Sequence, residues 1–311
     1  MLLRLRALLF RATLVANMTT NATENTTANP ATFNDWIGRE EIAHDVIAPA
    51  RVAALEATLD RAGALPREGD VLPPLYHWMF ADFLGLAATA ELGPDGHPKR
   101  GGFLPPVTLP RRMWAASDVT FQAPLRIGEE VTRRATIENI EEKTGRSGRL
   151  VFVTVRHDYT GASGGVLSDR QTIVYRDAPG ESERGHLPPG KPVPADSAFS
   201  RILTPGIALL FRYSALIFNA HRIHYDGPYA MDEEGYPGLV VHGPLIATLL
   251  ADLLRRERAG ADITRINFRA VKPIIEGRAL TLAGTETSNG FDLWAADDTG
   301  DLGAQATIEI R

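Results

Sequence analysis

Between positions 219 and 243 the chain gathers three histidines, His221, His224 and His242, an asparagine, Asn219, and a glycine, Gly243, that opens an apolar helical pattern. Imidazole moves protons readily near neutrality, because its unperturbed pKa is about 6.5. A glycine in the first turn of a helix offers an N–H that lacks an intrahelical partner, at a place where the dipole favours negative charge. Its missing side chain lets another group approach the backbone closely. Such a set can take a proton from one atom while negative charge building on another is held. A lone histidine in apolar sequence is more often a satisfied core residue, so the grouping carries the reading, not any single member. His221, His224 and Asp226 match no familiar zinc spacing, and there is no HExxH, so no metal or other cofactor is expected. No GxGxxG opens a helix after a strand, and neither a P-loop nor a GxSxG elbow occurs. The 311 residues include no cysteine, which excludes disulfides, thiolate metal sites and a Cys nucleophile.

These groups need elements to hold them. HGPLIATLLADLLRRERAG (242–260) is the clearest helix. Leu245, Leu249, Leu250, Leu253 and Leu254 share one face, Arg255, Arg256 and Arg258 suit the dipole at its end, and Gly260 stops it. ALLFRYSALIF (208–218) reads as a buried segment. APARVAALEATLDRA (48–62) predicts a short amphipathic helix, and LYHWMFADFLGLA (75–87) a buried one, with His77-Trp78-Met79-Phe80 as core or acyl-pocket floor. Residues 91–112 read as loop. From Ser117, VTFQAPL, EEVTRRATIENIEE, RLVFVTVRHDYT and DRQTIVYR read as strands, with GRSGR (145–149) a hairpin turn. RINFRAV, RALTLAGT, and a FDLWAA–DDTGD–AQATIEI hairpin follow the long helix.

VTFQAPLRIGEEVTRRATI (119–137) resembles INFRAVKPIIEGRALTLAG (266–284), with a one-residue shift. Each copy is followed by two more strand-like segments, so the chain reads as two similar α+β units. The expected division is a leader or tail at 1–32, a first unit at 33–177, a proline-rich linker at 178–200 and a second unit at 201–311. The leader's Arg4, Arg6 and Arg11 among leucines fit a mitochondrial transit peptide; a true start at Met18 fits a cytoplasmic protein. Residues 18–32 are expected to be disordered. The net charge of −5 shows no basic face, so no nucleic-acid partner is expected. No apolar run approaches the roughly 20 residues that span a membrane.

The stretch FRYSALIFNAHRIHYDGPYAMDEEGYPGLVVHGPL (211–245) resembles the MaoC-like hydratases, and among them the type 2 hydroxyacyl-thioester dehydratases and mesaconyl-C4-CoA hydratases. The family pattern is Asp-x-Asn-Pro-x-His, then Gly-x-x-x-His-Gly at a helix start. Gly238 to Gly243 match the second element. In the first, His224 falls on the family histidine, Asn219 on the aspartate, His221 on the asparagine and Arg222 on the proline. The amide of Asn219 cannot accept a proton as a carboxylate does. The resemblance implies a double hot-dog fold, each unit an antiparallel sheet wrapped around a central helix, with the chemistry in the second unit and none in the first. It further implies reversible water addition to an enoyl-CoA thioester, with a small dicarboxylic acyl group favoured. His224 is then the base and acid, Asn219 orients the water, and the Gly243 N–H holds the oxyanion. His221, Arg222, Tyr225, Val241, His242 and Arg269 are expected to contact substrate, Arg222 through a carboxylate or CoA phosphate. Lys99, Arg100, Arg111, Arg112 and Arg269 are candidates for CoA phosphates.

Two rivals remain open. A hot-dog thioesterase needs a carboxylate against the central helix, where Asp252 stands two turns in. A non-catalytic acyl-binding relative would explain Asn219 in place of aspartate. Hot-dog units commonly pair; an internal duplication supplies one pairing, and a further homodimer is an open option.

Overall fold

Alternation of apolar and polar residues builds most of the architecture. In RLVFVTVRHDYT the period of two places Val151, Val153, Val155, His157 and Tyr159 on one buried face. The computed structural model of the chain describes residues 33–81, 85–145 and 148–311. The strands are β1 (Glu40–Val46), β2 (Arg111–Ala123), β3 (Glu130–Gly145), β4 (Gly148–Gly161), β5 (Val166–Arg176), β6 (Phe199–Leu203), β7 (Ile263–Ala270), β8 (Leu280–Thr287), β9 (Gly290–Ala296) and β10 (Leu302–Ile310). The helices are α1 (Pro49–Thr58), α2 (Ile207–Leu216) and α3 (Gly243–Glu257). All ten strands form one antiparallel sheet in the order β1-β3-β4-β5-β2-β7-β10-β9-β8-β6. They lie within a single compact unit, Trp36–Arg311. No helix among the described residues is long and apolar enough to cross a membrane.

The sheet is two copies of one five-stranded pattern joined at β2 and β7, where Ala116 to Thr120 pair with Arg269 to Arg265. The copies share their loop bonds too. Leu72 N donates to Leu125 O as Val241 N does to Ile274 O, and Ile127 N to Asp70 O as Glu276 N does to Leu239 O. Gly128 and Gly277 both take positive φ and donate to Ile47 O and Pro205 O after the first strand of each half. Both helices α1 and α2 end on a non-glycine residue in the left-handed region, Asp60 and Phe218. The repeat read from the sequence is therefore a repeat of hydrogen bonds, with Pro124 matching Pro273.

The halves differ in what the sheet encloses. Eleven consecutive residues of α3, Pro244–Leu254, are buried. The helix is covered on all sides, not along the single leucine face expected, which marks a helix inside a wrapped sheet. Its one buried carboxylate, Asp252, meets Arg61 and Arg256 at 2.7 Å and Arg201 at 3.4 Å. In the first half the buried helix expected over 75–87 is a single 3-10 turn, Tyr76–Met79, with burial continuing to Ala81; residues 82–84 lie outside the described residues. Pro73 and Pro74 deny that segment backbone donors, and Leu75 at its start takes a φ of 67°.

Strands β1 and β6 were not anticipated, since each is a short edge strand at the rim of the sheet. The predicted helix over 48–62 is shorter, ending at Thr58. The proline-rich 178–200 is anchored: Gly185 N donates to Gly235 O, Leu302 N to Lys191 O, and β6 begins within it at Phe199. Gly145 and Gly148 pair as the GRSGR turn requires, though 146 and 147 lie outside the described residues. The leader, the Met18 start and the 18–32 tail also lie outside them.

Candidate active site

The chain leaves α2 through Phe218, whose φ of 53° reverses its direction. Asn219 N closes the helix on Ser214 O at 2.8 Å. The Asn219 side-chain oxygen accepts from His221 N at 2.9 Å, an Asx turn that sets the path of the following residues. A 3-10 turn at Arg222–His224 then buries the imidazole of His224. Its Nδ1 donates to Val240 O at 2.7 Å. A carbonyl can only accept, so Nδ1 carries the proton and Nε2 is the bare nitrogen. Nε2 has no hydrogen-bond partner among the described residues.

Val240 bridges to Ile275, and Val241 N donates to Ile274 O at 2.9 Å, so the β7–β8 connection holds the start of α3 in place. His242 is the N-cap residue and is fully buried. Its Nε2 lies 2.7 Å from Ser214 Oγ, and its ring stacks on that of His224 with centroids 3.6 Å apart and planes 20° apart. Gly243 follows directly. The loop after α2 and the N-terminus of α3 thus bring His224 to within one residue of the Gly243 N–H.

Burial keeps these rings neutral. It lowers the His224 pKa to about 4, only partly offset by the bond to Val240 O. His221 and His242 are held well below the ordinary histidine value, first by burial and then by the charge a protonated His224 would carry.

The first half supplies a wall that sequence reasoning missed. Trp114 on β2 packs so that a Cβ at position 243 would meet its ring at 2.9 Å. The close approach at Gly243 is therefore made by Trp114. Its indole nitrogen is tied to Gln171 at 3.0 Å, and its ring stacks on Phe268. The loop Gly93–His97 crosses the His221 turn: Arg222 N donates to Asp95 O at 2.9 Å, and the His97 ring lies 4.2 Å from that of His221. Arg112 on β2 is buried beside this loop. These partners stand more than a hundred residues away in sequence, and only the β2–β7 pairing brings them near.

Other expected residues have different surroundings. The Arg222 guanidinium is held by Asp226 at 2.7 and 2.9 Å and by Pro94 O, and it covers the Tyr229 ring. Tyr225 is exposed and donates to Ala220 O. Arg269 is exposed, next to buried Phe268, so it points away from α3. Lys99 and Arg100 bond to backbone carbonyls of their own loop. Arg111 is buried against Glu234 at 2.9 Å and under Tyr236. Two surface hollows of about 320 and 710 Å³, lined by Glu56, Arg61 and Arg255 and by Arg258, Glu286 and Phe291, do not border His224.

The counterpart loop in the first half lacks this equipment. Arg61 N donates to Glu56 O just as Asn219 N does to Ser214 O, so Arg61 takes the place of Asn219. Pro73 and Pro74 take the places of His242 and Gly243, and the intervening segment is much shorter.

Residues 75–276 match the family model for hydroxyacyl-thioester dehydratase type 2. The mesaconyl-C(4)-CoA hydratase of Chloroflexus aurantiacus is 44% identical over 284 residues, covering 88% of this chain and 96% of that protein. The mitochondrial hydroxyacyl-thioester dehydratase type 2 of Schizosaccharomyces pombe is 28% identical over 301 residues, covering 86% and 96%. A solved MaoC-like dehydratase superposes with a TM-score of 0.68 at 17% identity, covering 90% of this chain and 99% of that one. A Mycobacterium tuberculosis protein described as a double hot dog superposes at 0.56, with 12% identity over 89% and 97% of the two chains. The duplicated sheet, the helix it encloses and these likenesses agree: the chain belongs to the hydroxyacyl-thioester dehydratase type 2 family, the MaoC-like hydratases and dehydratases on a double hot-dog fold.

Proposed function

We propose that this protein adds water reversibly across the double bond of an enoyl-CoA thioester, and that its acyl group is a small dicarboxylic one of the mesaconyl-C4 kind. The observation that carries the reading is the orientation of His224. Its Nδ1–H is fixed on Val240 O, which leaves Nε2 bare beside the N-terminus of α3. In the hydration direction Nε2 takes a proton from water as the oxygen attacks C3. Negative charge moves to the thioester oxygen, where the Gly243 N–H donates to it. The imidazolium then gives its proton to C2. Because burial disfavours the charged ring, that second transfer is downhill. Asn219 already accepts from His221 N, so its amide N–H₂ is the group left to orient the water or the departing hydroxyl.

The 44% identical relative is named for mesaconyl-C(4)-CoA, which supports the dicarboxylic choice. Asp252 argues against a thioesterase, since arginines surround it deep in the helix and none of the site residues touches it. The first half is read as non-catalytic, because Arg61, Pro73 and Pro74 offer neither the amide nor the N–H donor. The cytoplasm is the proposed location, unless the Arg/Leu-rich leader directs the protein to mitochondria. The test is a panel of short, long and dicarboxylic enoyl-CoAs with wild type, His224→Ala and Asn219→Ala. Loss of enoyl absorbance without release of thiol supports hydration. Thiol release, or no turnover together with tight binding, overturns it.

A further inference from the structure

Arginine binds a carboxylate most tightly through two parallel N–H bonds. Two arginines here show the side-on form of that fork filled. Arg222 Nε and Nη2 reach one oxygen of Asp226 at 2.9 and 2.7 Å, and Arg265 Nε and Nη2 reach Asp118 at 2.7 Å each. Arg112 presents the same edge empty. Its side chain is 8% exposed, and its Nε and Nη2 have no hydrogen-bond partner. The nearest carboxylate oxygen, on Asp95, lies 3.9 Å from Nη2 and already accepts from the His97 ring at 3.1 Å. A buried cation without a close partner is costly, by several kcal/mol as an order of magnitude.

One further buried polar atom, His221 Nε2, lacks a hydrogen-bond partner; it feels the Arg112 charge, and the Tyr175 hydroxyl lies against the Arg112 guanidinium. His221 in turn sets its ring edge-on to His224, centroids 5.4 Å apart. The neighbouring cation does not compete, because Arg111 is closed on Glu234.

We infer that the open fork of Arg112, joined to the His221 turn through Asp95 and His97, is the subsite for a free carboxylate on the acyl group of the substrate. The inference rests on the hydratase reading and names the residue that would recognise its dicarboxylic acyl group. The His221 and His224 rings are only 5.4 Å apart, so a carboxylate held beside His221 is borne close to the carbon that water attacks. The acyl groups that fit are trans-butenedioyl mono-thioesters, with or without a methyl at C3. A plain enoyl chain would lay methylene against the unpaired guanidinium instead.

The experiment compares kcat/KM for the mono-CoA thioester of fumarate and for crotonyl-CoA, in wild type, Arg112→Gln and Arg112→Lys. Wild type should prefer the dicarboxylic substrate. Arg112→Gln should reduce that preference on the order of 100-fold, mostly through KM, and Arg112→Lys should reduce it less, since it keeps the charge but not the fork. Wild type alone gives a second measure, independent of whether the variants fold: succinyl-CoA should inhibit crotonyl-CoA hydration at a concentration at least about ten times lower than butyryl-CoA does. Equal losses on both substrates, or equal inhibition by the two saturated thioesters, overturn the subsite. Wild type that hydrates crotonyl-CoA but not the dicarboxylic thioester overturns the subsite and the dicarboxylic choice and leaves the hydration reading standing. Hydration of neither overturns the hydratase reading and the subsite with it.

Discussion

The imidazole of His224 lies flat on that of His242, 3.6 Å between centroids, while its Nδ1 is tied to Val240 O. One contact sets the plane of the ring and the other its rotation within that plane. The nitrogen left bare therefore has a fixed direction before any substrate arrives, which is the kind of preorganisation that proton transfer rewards.

Replacing His224 by Ala should lower kcat for hydration by about 10³-fold, within the range general acid–base catalysis supplies. His224→Gln should recover little, because an amide cannot carry the proton from water to C2. Stopped assays at saturating enoyl-CoA, alongside circular dichroism to confirm folding, check both.

Gly243→Ala should act through Trp114. The new methyl would meet the indole at 2.9 Å, and a backbone shift there moves the N–H proposed to serve the oxyanion. The expected cost is about 1–3 kcal/mol in unfolding free energy, with kcat down at least tenfold. In a Trp114→Val background the same change should cost less stability, measured by denaturant titration.

Acid should destabilise the protein earlier than carboxylate titration alone predicts. The folded-state pKa of His224 is about 4 against about 6.5 unfolded, so the unfolded chain takes up a proton first. Stability is whole above pH 6.5 and falls as pH drops from there toward 4, by up to about 1.4 kcal/mol per pH unit for this residue. His221 and His242 are shifted the same way. Denaturant midpoints at pH 7.5, 6 and 5 should decline steeply, and His242→Phe should flatten the slope. Activity should stay level from neutrality down until the fold itself fails.

Asp252→Ala should unfold more easily by about 3–5 kcal/mol, because it leaves Arg61, Arg201 and Arg256 without their shared partner inside the molecule. The folded fraction should keep its kcat. A loss of kcat with stability intact would falsify the structural assignment and revive the thioesterase alternative.

The sequence disclosed α3 well, since its leucines, arginines and Gly260 agree at every level. It also disclosed β3 to β5, β7 to β10 and the C-terminal part of β2, but neither β6 nor the start of β2 at Arg111. The apolar run at 75–87 suggests a helix but carries no helical period, and it folds as a 3-10 turn at Tyr76–Met79; Pro73 and Pro74 are the available warning. From sequence Arg112 is only a candidate for a CoA phosphate, because charge in a loop-like stretch ordinarily means solvent. Its burial comes from strand pairing with β5, at Tyr175, which no local pattern reveals.

The join between β2 and β7 has a consequence for how such a protein can change. In an assembly of identical subunits every substitution appears in each copy, so one copy cannot lose its loop residues while the other keeps them. Here the residue that would grade substrates, Arg112, and the residue that would transform them, His224, lie in different copies of one five-stranded pattern and are independent positions. Selectivity can drift on one side of the seam while the proton chemistry on the other is left untouched.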